Sequence, residues 1–193
     1  MTMKRNELTK IVIVVVVLIF LLMGMVVMRL GRKTPIVNQQ ADSQVPVIVP
    51  GSMSVLLNFH EAEPGERLKA DVKFSALGAK IYGADAVIRF DPTYIEVDEN
   101  IEQGDFFAVY PRAEVDNATG IINVTGISAK NKDPMTVEEL LFSFYLVPKV
   151  TGETEINLDY QLGATNLSTL VEFGTSKNIL GKVTGTSLLI VED

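Results

Sequence analysis

From Lys80 to Val97 the chain reads K-I-Y-G-A-D-A-V-I-R-F-D-P-T-Y-I-E-V, and this stretch restricts the possible folds more than any other. Tyr82, Ala84, Ala86, Ile88 and Phe90 alternate with Gly83, Asp85, Val87 and Arg89. A period of two over this length describes a half-buried strand, because successive side chains leave a pleated backbone on opposite faces. The first set is expected inward and the second outward. Asp91-Pro92 ends the strand, since proline has no N–H for the ladder and disfavours helix at the preceding residue. Tyr94 to Val97, aromatic and β-branched, supply the next strand. The outward row carries a carboxylate and a guanidinium and no catalytic constellation, so it offers a surface for recognition rather than chemistry.

The same grammar continues on both sides. Leu68, Ala70, Val72 and Phe74 alternate with Arg67, Lys69, Asp71 and Lys73, and Val55, Leu57 and Phe59 alternate with Ser54, Leu56 and Asn58. Further strands are expected at residues 106–110, 121–127, 140–147, 154–160, 167–173, 179–183 and 187–191, separated by Gly- and Asn-containing turns. After residue 50 no segment holds a 3.6-residue period over eleven positions, and residues 135–139 would form one helical turn at most. The expected fold is all-β: an antiparallel two-sheet β-sandwich or jelly roll of about nine to ten strands over residues 51–193. Its core is expected to hold Leu68, Val72, Phe74, Ile88, Phe90, Phe142, Phe144, Ile156, Leu158 and Ile190. If Leu140, Phe142, Phe144 and Leu146 point inward, Leu141, Ser143, Tyr145 and Val147 form an outward row. Leu141 and Tyr145 then either join Asp85 and Arg89 as an apolar centre with a charged rim, the usual composition of a protein interface, or are partly covered by a loop or by self-association.

The run Gly83-Ala84-Asp85-Ala86-Val87-Ile88-Arg89-Phe90-Asp91-Pro92-Thr93-Tyr94-Ile95-Glu96 resembles the strand-turn-strand of bacterial cohesin domains. Gly104-Asp105, Gly120 to Val124, Leu140 to Phe144 and Gly152 to Ile156 are similar to later cohesin segments and come in the same order. The resemblance covers roughly Gly51 to Asp193. It implies a sandwich related to carbohydrate-binding modules and a protein partner, a dockerin helix pair, docked on one flat sheet face. That face in the family includes an Asn-x-Asp on this strand. Asp85 matches the Asp, whereas Gly83 stands where the Asn would be and brings no hydrogen-bonding side chain. The resemblance, through Gly83 and Asp85, and strand parity together give Gly83, Asp85, Val87, Arg89, Leu141 and Tyr145 as the expected partner-binding residues.

Ahead of the sandwich, Ile11 to Met28 is an uninterrupted apolar run, and as a helix at ~1.5 Å per residue it spans ~27 Å, close to a bilayer's hydrocarbon core. No small-x-small cleavage site follows it, so it is expected to be an uncleaved single-pass signal anchor with residues 1–10 as a cytoplasmic tail and the C-terminal domain outside the cell. Residues 29–50 contain three prolines and a polar middle and read as an extended linker, with Val45 to Val49 as an alternative first strand. Glu7 ahead of the run invites comparison with type IV pilins, but it precedes Lys10 and lacks the cleavage context. A pilus or secretion-apparatus subunit is therefore only an alternative reading.

Charge and composition narrow the ligands. Residues 1–33 hold six of the seventeen Lys/Arg and one of the twenty-four Asp/Glu, so residues 34–193 carry a net charge of −12. Nucleic acid and anionic lipid surfaces are repelled by such a domain. With no cysteine and a single histidine, His60, disulfides, thiolate metal sites and multi-histidine sites are excluded. His60 reads as a strand-end surface residue. The acidic loop Asp98 to Asp105 lacks the ligand spacing of a calcium loop and is expected to be solvated. Three Asn-x-Ser/Thr triplets, at Asn117, Asn123 and Asn166, are ordinary turn and strand residues on this reading. A carbohydrate-binding module is the alternative from another class, disfavoured because tryptophan is absent and Tyr82 and Tyr160 are expected inward. No cofactor and no catalytic role are expected.

Overall fold

A computed structural model describes residues 51–192 of the chain. The tail, the apolar run Ile11 to Met28 and the linker, with its alternative strand at Val45 to Val49, lie outside the described residues. The described part is built from thirteen strands: β1 (Gly51–Leu57), β2 (Glu61–Ala62), β3 (Leu68–Ser75), β4 (Ile81–Phe90), β5 (Ile95–Val97), β6 (Glu102–Gln103), β7 (Phe107–Asp116), β8 (Ile121–Ala129), β9 (Glu139–Pro148), β10 (Gly152–Leu158), β11 (Thr169–Glu172), β12 (Leu180–Thr184) and β13 (Thr186–Ile190). One sheet runs β12-β1-β3-β9-β5, with β6 also on β9; the other runs β2-β13-β10-β4-β8-β7, with β11 also on β4. The all-β two-sheet architecture agrees with the alternation in the sequence. The strands beyond the expected count are chiefly β2 and β6, two residues each and too short for any pattern to announce.

Two pairings depart from an antiparallel scheme. β1 runs parallel to β12 and β13 runs parallel to β2, both at sheet edges. Each partner arrives from far along the chain, which is what a parallel pair requires because no hairpin can make it.

Every expected core residue is buried: Leu68, Val72, Phe74, Ile88, Phe90, Phe142, Phe144, Ile156, Leu158 and Ile190 are at most 6% exposed. Each such side chain contributes ~1.5–3 kcal/mol on leaving water. Phe74, Phe106, Phe107 and Tyr110 close one end of the core as an aromatic cluster with ring centroids 4.9 to 6.1 Å apart. At the β7–β8 turn Gly120 has φ +68°, and a Cβ there would lie 2.1 Å from the Phe90 carbonyl oxygen, so only glycine fits.

Two of the register shifts move residues off their expected faces. Val72 faces Phe142 and Lys73 faces Leu140, leaving Leu141 as an extra residue on β9. A bulge sends adjacent side chains toward the same side, and Leu141 enters the core beside Phe142 with 0% exposure. Ser143 is buried as well and donates its hydroxyl to Asp71 at 2.7 Å. The expected outward position of Leu141 is thereby corrected, and it presents nothing to a partner. The second shift lies between β11 and β4, where Val171 faces Gly83 and Glu172 faces Ile81. Ile81 takes the inward place and Tyr82, expected inside, is 46% exposed. Phe59, just beyond the end of β1, is likewise exposed rather than part of the core.

Candidate functional site

β4 lies inside its sheet, with β8 on one side and β10 and β11 sharing the other. Directly opposed residues in neighbouring strands share a face, so the register defines the outer surface row by row. One row reads Thr169, Asp85, Thr125, Arg112; the next has Val87, Asn123 and Glu114; a third has Asn157, Arg89, Ile121 and Asp116. At the other end Val171, Gly83, Ile127 and Val109 make an apolar row. Asp85, Val87 and Arg89 thus face outward together, in agreement with strand parity.

Asp85 is flanked by hydroxyls. Thr125 donates to its Oδ1 at 2.7 Å and Thr169 donates to its Oδ2 at 2.9 Å. An ionised carboxylate offers about four acceptor positions, so two remain for a partner's donors. Arg89 is tied to Asp159 by a charged hydrogen bond, and Arg112 donates to Glu114 at 2.8 Å. Each guanidinium is thus paired with a carboxylate while about half exposed.

The β10–β11 connection is pinned to the middle of β4. Asp159 N–H donates to the Val87 carbonyl at 2.7 Å, and Val87 N–H donates to Ser168 Oγ at 3.1 Å. This filling of the gap between β10 and β11 leaves a depression of about 170 Å³ at the centre of the face, lined by Asp85, Val87, Arg112, Asn123 and Thr125 and walled by Thr165 to Leu167. Sequence reasoning missed Thr125, Thr169 and this loop, because cross-strand neighbours in sequence-distant segments leave no local signal.

Gly83 leaves the apolar row without a side chain. A Cβ there would come within 3.1 Å of the Gly126 carbonyl oxygen and 3.3 Å of Ile127 Cγ2, so the two strands are fitted to glycine.

Tyr145 belongs elsewhere. It lies on β9 in the other sheet, whose outer surface points away from Asp85, so the expected single face joining Asp85 and Arg89 to Leu141 and Tyr145 does not exist. Its ring lies under the Arg67 guanidinium at 3.6 Å, and Arg67 also pairs with Asp98 at 2.6 Å. Lys69 pairs with Glu102 at 2.8 Å, and that hydrogen bond lowers the Glu102 pKa and raises that of Lys69. Asp105 lies 3.6 Å from Lys130. Three of the four carboxylates of the acidic loop, Asp98, Glu102 and Asp105, are therefore directed to lysine or arginine. Among the described residues no three His, Cys, Asp or Glu side chains are grouped to hold a metal ion. His60 is exposed, with Nδ1 3.1 Å from the Ser187 carbonyl oxygen. Of the three sequon asparagines, Asn117 is committed to β5, accepting from Val97 N–H and donating to its C=O, each at 2.8 Å.

Comparison with known proteins adds to this geometry. The family model for the cohesin domain matches residues 53–173. Among solved structures, the chain is similar to one from a type II cohesin–X–dockerin complex of Acetivibrio cellulolyticus, at 14% identity and TM-score 0.60, with 73% of this chain and 99% of that one covered. The third cohesin of ScaC from the same organism, solved in complex with the ScaB dockerin, matches at 12% identity and TM-score 0.59, covering 74% and 99%. A non-cellulosomal cohesin from the archaeon Archaeoglobus fulgidus matches at 13% identity and TM-score 0.52, covering 73% and 92%. No curated protein matches the chain.

Proposed function

The chain belongs to the cohesin domain family, and on that premise we propose that its sandwich is a receptor for a dockerin-type helical protein, bound on the outer face that carries Asp85. Cohesin domains are non-catalytic protein–protein interaction modules, which accords with a face of hydroxyls, paired charges and apolar side chains. The observation that carries the reading is the row Asp85, Thr125, Arg112, with Thr169 buried beside Asp85, next to an open depression on a sheet whose β4, β8 and β7 offer a continuous surface. The two free acceptor positions of Asp85 suit hydroxyl or amide donors, and Asn123 supplies both a donor and an acceptor. The absence of a side chain at Gly83 argues for a partner that brings apolar bulk to that end. On the same reading, Ile11 to Met28 tethers the receptor to the cell membrane and residues 29–50 hold it clear of the bilayer, supported by the length of the apolar run and the proline-rich sequence after it.

Titration of the full chain against a panel of dockerin modules tests the proposal. We expect at least one to bind, and Asn123→Arg, which places bulk at the centre of the face, to weaken it tenfold or more. Lys182→Glu, in the other sheet, should leave affinity unchanged. A panel that yields no binder, or a binder lost on Lys182→Glu and kept on Asn123→Arg, contradicts it.

A further inference from the structure

The outer face is not uniform along β4. At its Lys80 end, Tyr82 and Phe173 are 46% and 47% exposed and line a cavity of about 110 Å³ together with Ser128 and Lys132. Exposed apolar patches rimmed by polar residues mark interaction or ligand sites, and here two half-exposed aromatic side chains flank one cavity. Ser128 sits in the left-handed region at φ +58°, although it lies within β8. A non-glycine residue seldom adopts that conformation, and such local strain collects where ligands bind. Val109, Ile127 and Val171 continue the apolar surface from this cavity toward the centre of the face. The cations here, Lys80 and Lys132, are exposed and have no salt-bridge partner among the described residues.

The other end is acidic. Asp91 and Glu153 border a second depression with Glu155, and all three are exposed. Asp116 is exposed on the adjoining row, its pKa lowered by the hydroxyl and backbone N–H of Thr119 and by Ala118 N–H. Eleven residues of extended chain separate Lys80 from Asp91, roughly 35 Å at ~3.3 Å per residue. That exceeds the ~8 Å screening length at physiological salt several times over, so each end acts on whatever lies above it alone.

We propose that this polarity fixes the direction of the helical partner: it seats an aliphatic side chain, flanked by carboxylates, in the Tyr82–Phe173 cavity, and lays lysine or arginine over Glu153 and Glu155. The inference rests on the partner face assigned above and adds its orientation and chemistry. A partner turned end for end puts like charges together at both ends and leaves the cavity without its anchor. Complementary charge and an apolar anchor at one end only thus favour one placement over its reverse.

A phage-displayed library of helical hairpins tests this without any dockerin. Half of its members carry an aliphatic anchor beside glutamates with lysines at the far end; the other half carry the charges reversed. Selection on the full chain is expected to enrich the first half tenfold or more. The winners should bind at least tenfold more weakly to Phe173→Ser and to Lys80→Glu/Lys132→Glu, both with unchanged melting temperature. Combining Lys80→Glu/Lys132→Glu with Glu153→Lys/Glu155→Lys should reverse the enrichment. Equal enrichment of both halves, no enrichment, or winners indifferent to Asn123→Arg would overturn the proposal. A dockerin that binds and is weakened by Asn123→Arg yet ignores the charge swap would retain the partner face and remove the orientation.

Discussion

The Asp85 carboxylate lies between the Thr125 and Thr169 hydroxyls, accepting one hydrogen bond from each at 2.7 and 2.9 Å. It therefore joins β8 and β11 across β4 as well as facing outward. Hydrogen bonds to charged groups contribute ~1.5–3 kcal/mol when well formed, and the partial exposure of Asp85 reduces this. Asp85→Ala should cost about 1–2 kcal/mol of stability, and Asp85→Asn, which keeps an acceptor oxygen, less than half of that. Urea unfolding of both variants measures it. An Asp85→Ala midpoint equal to wild type would show that the two threonines do not hold this residue.

Leu141 provides a sharper test of the β9 bulge. Leu141→Ala should destabilise by ~2–5 kcal/mol, as large-to-small core substitutions do, and Ile88→Ala by a similar amount. Strand parity alone assigns Leu141 to the surface, where the same change falls within about 0.5 kcal/mol. Thermal unfolding of the two variants side by side distinguishes an interior Leu141 from an exposed one.

Most of the fold was legible because burial writes a period of two into β1, β3, β4 and β10. What escaped depends on neighbours distant in the chain. Leu141 and Tyr82 change face where an extra residue is accommodated opposite β3 and β11, and neither bulge leaves a local mark. Sheet assignment escaped for the same reason: the alternation of β4 and β9 looks alike, yet one lies in each sheet. The outward Asp85, Val87 and Arg89 were readable, whereas the threonines beside Asp85 and the loop pinned at Val87 emerge only from pairing over dozens of residues.

Tyr110 couples the end of the core to alkaline pH. Its hydroxyl points at the Gly104 and Leu141 carbonyl oxygens, 3.0 and 2.9 Å away, and burial raises its pKa to about 12. The protonated phenol is favoured in the folded state, so its stabilising contribution is complete below the ordinary tyrosine value of ~10 and is lost as pH rises toward about 12. Tyr110→Phe should flatten the fall in melting temperature over that window while lowering stability at neutral pH by about 1 kcal/mol through the lost hydrogen bond. An unchanged alkaline profile would show that another group controls it.

The apolar run Ile11 to Met28 leads to a prediction about fractionation. Alkaline carbonate washing should leave the full chain in the membrane pellet, and deleting residues 11–28 should release it. Recovery of the intact full chain in the supernatant would count against the anchor.

Amide hydrogen exchange of the full chain, with and without a dockerin module bound, tests the central claim most directly. The account predicts new protection along β4, β8 and the Thr165 to Leu167 loop, with exchange in β1, β3 and β9 unchanged. Protection confined to β1, β3 and β9, around the Arg67–Tyr145 stack, would contradict it.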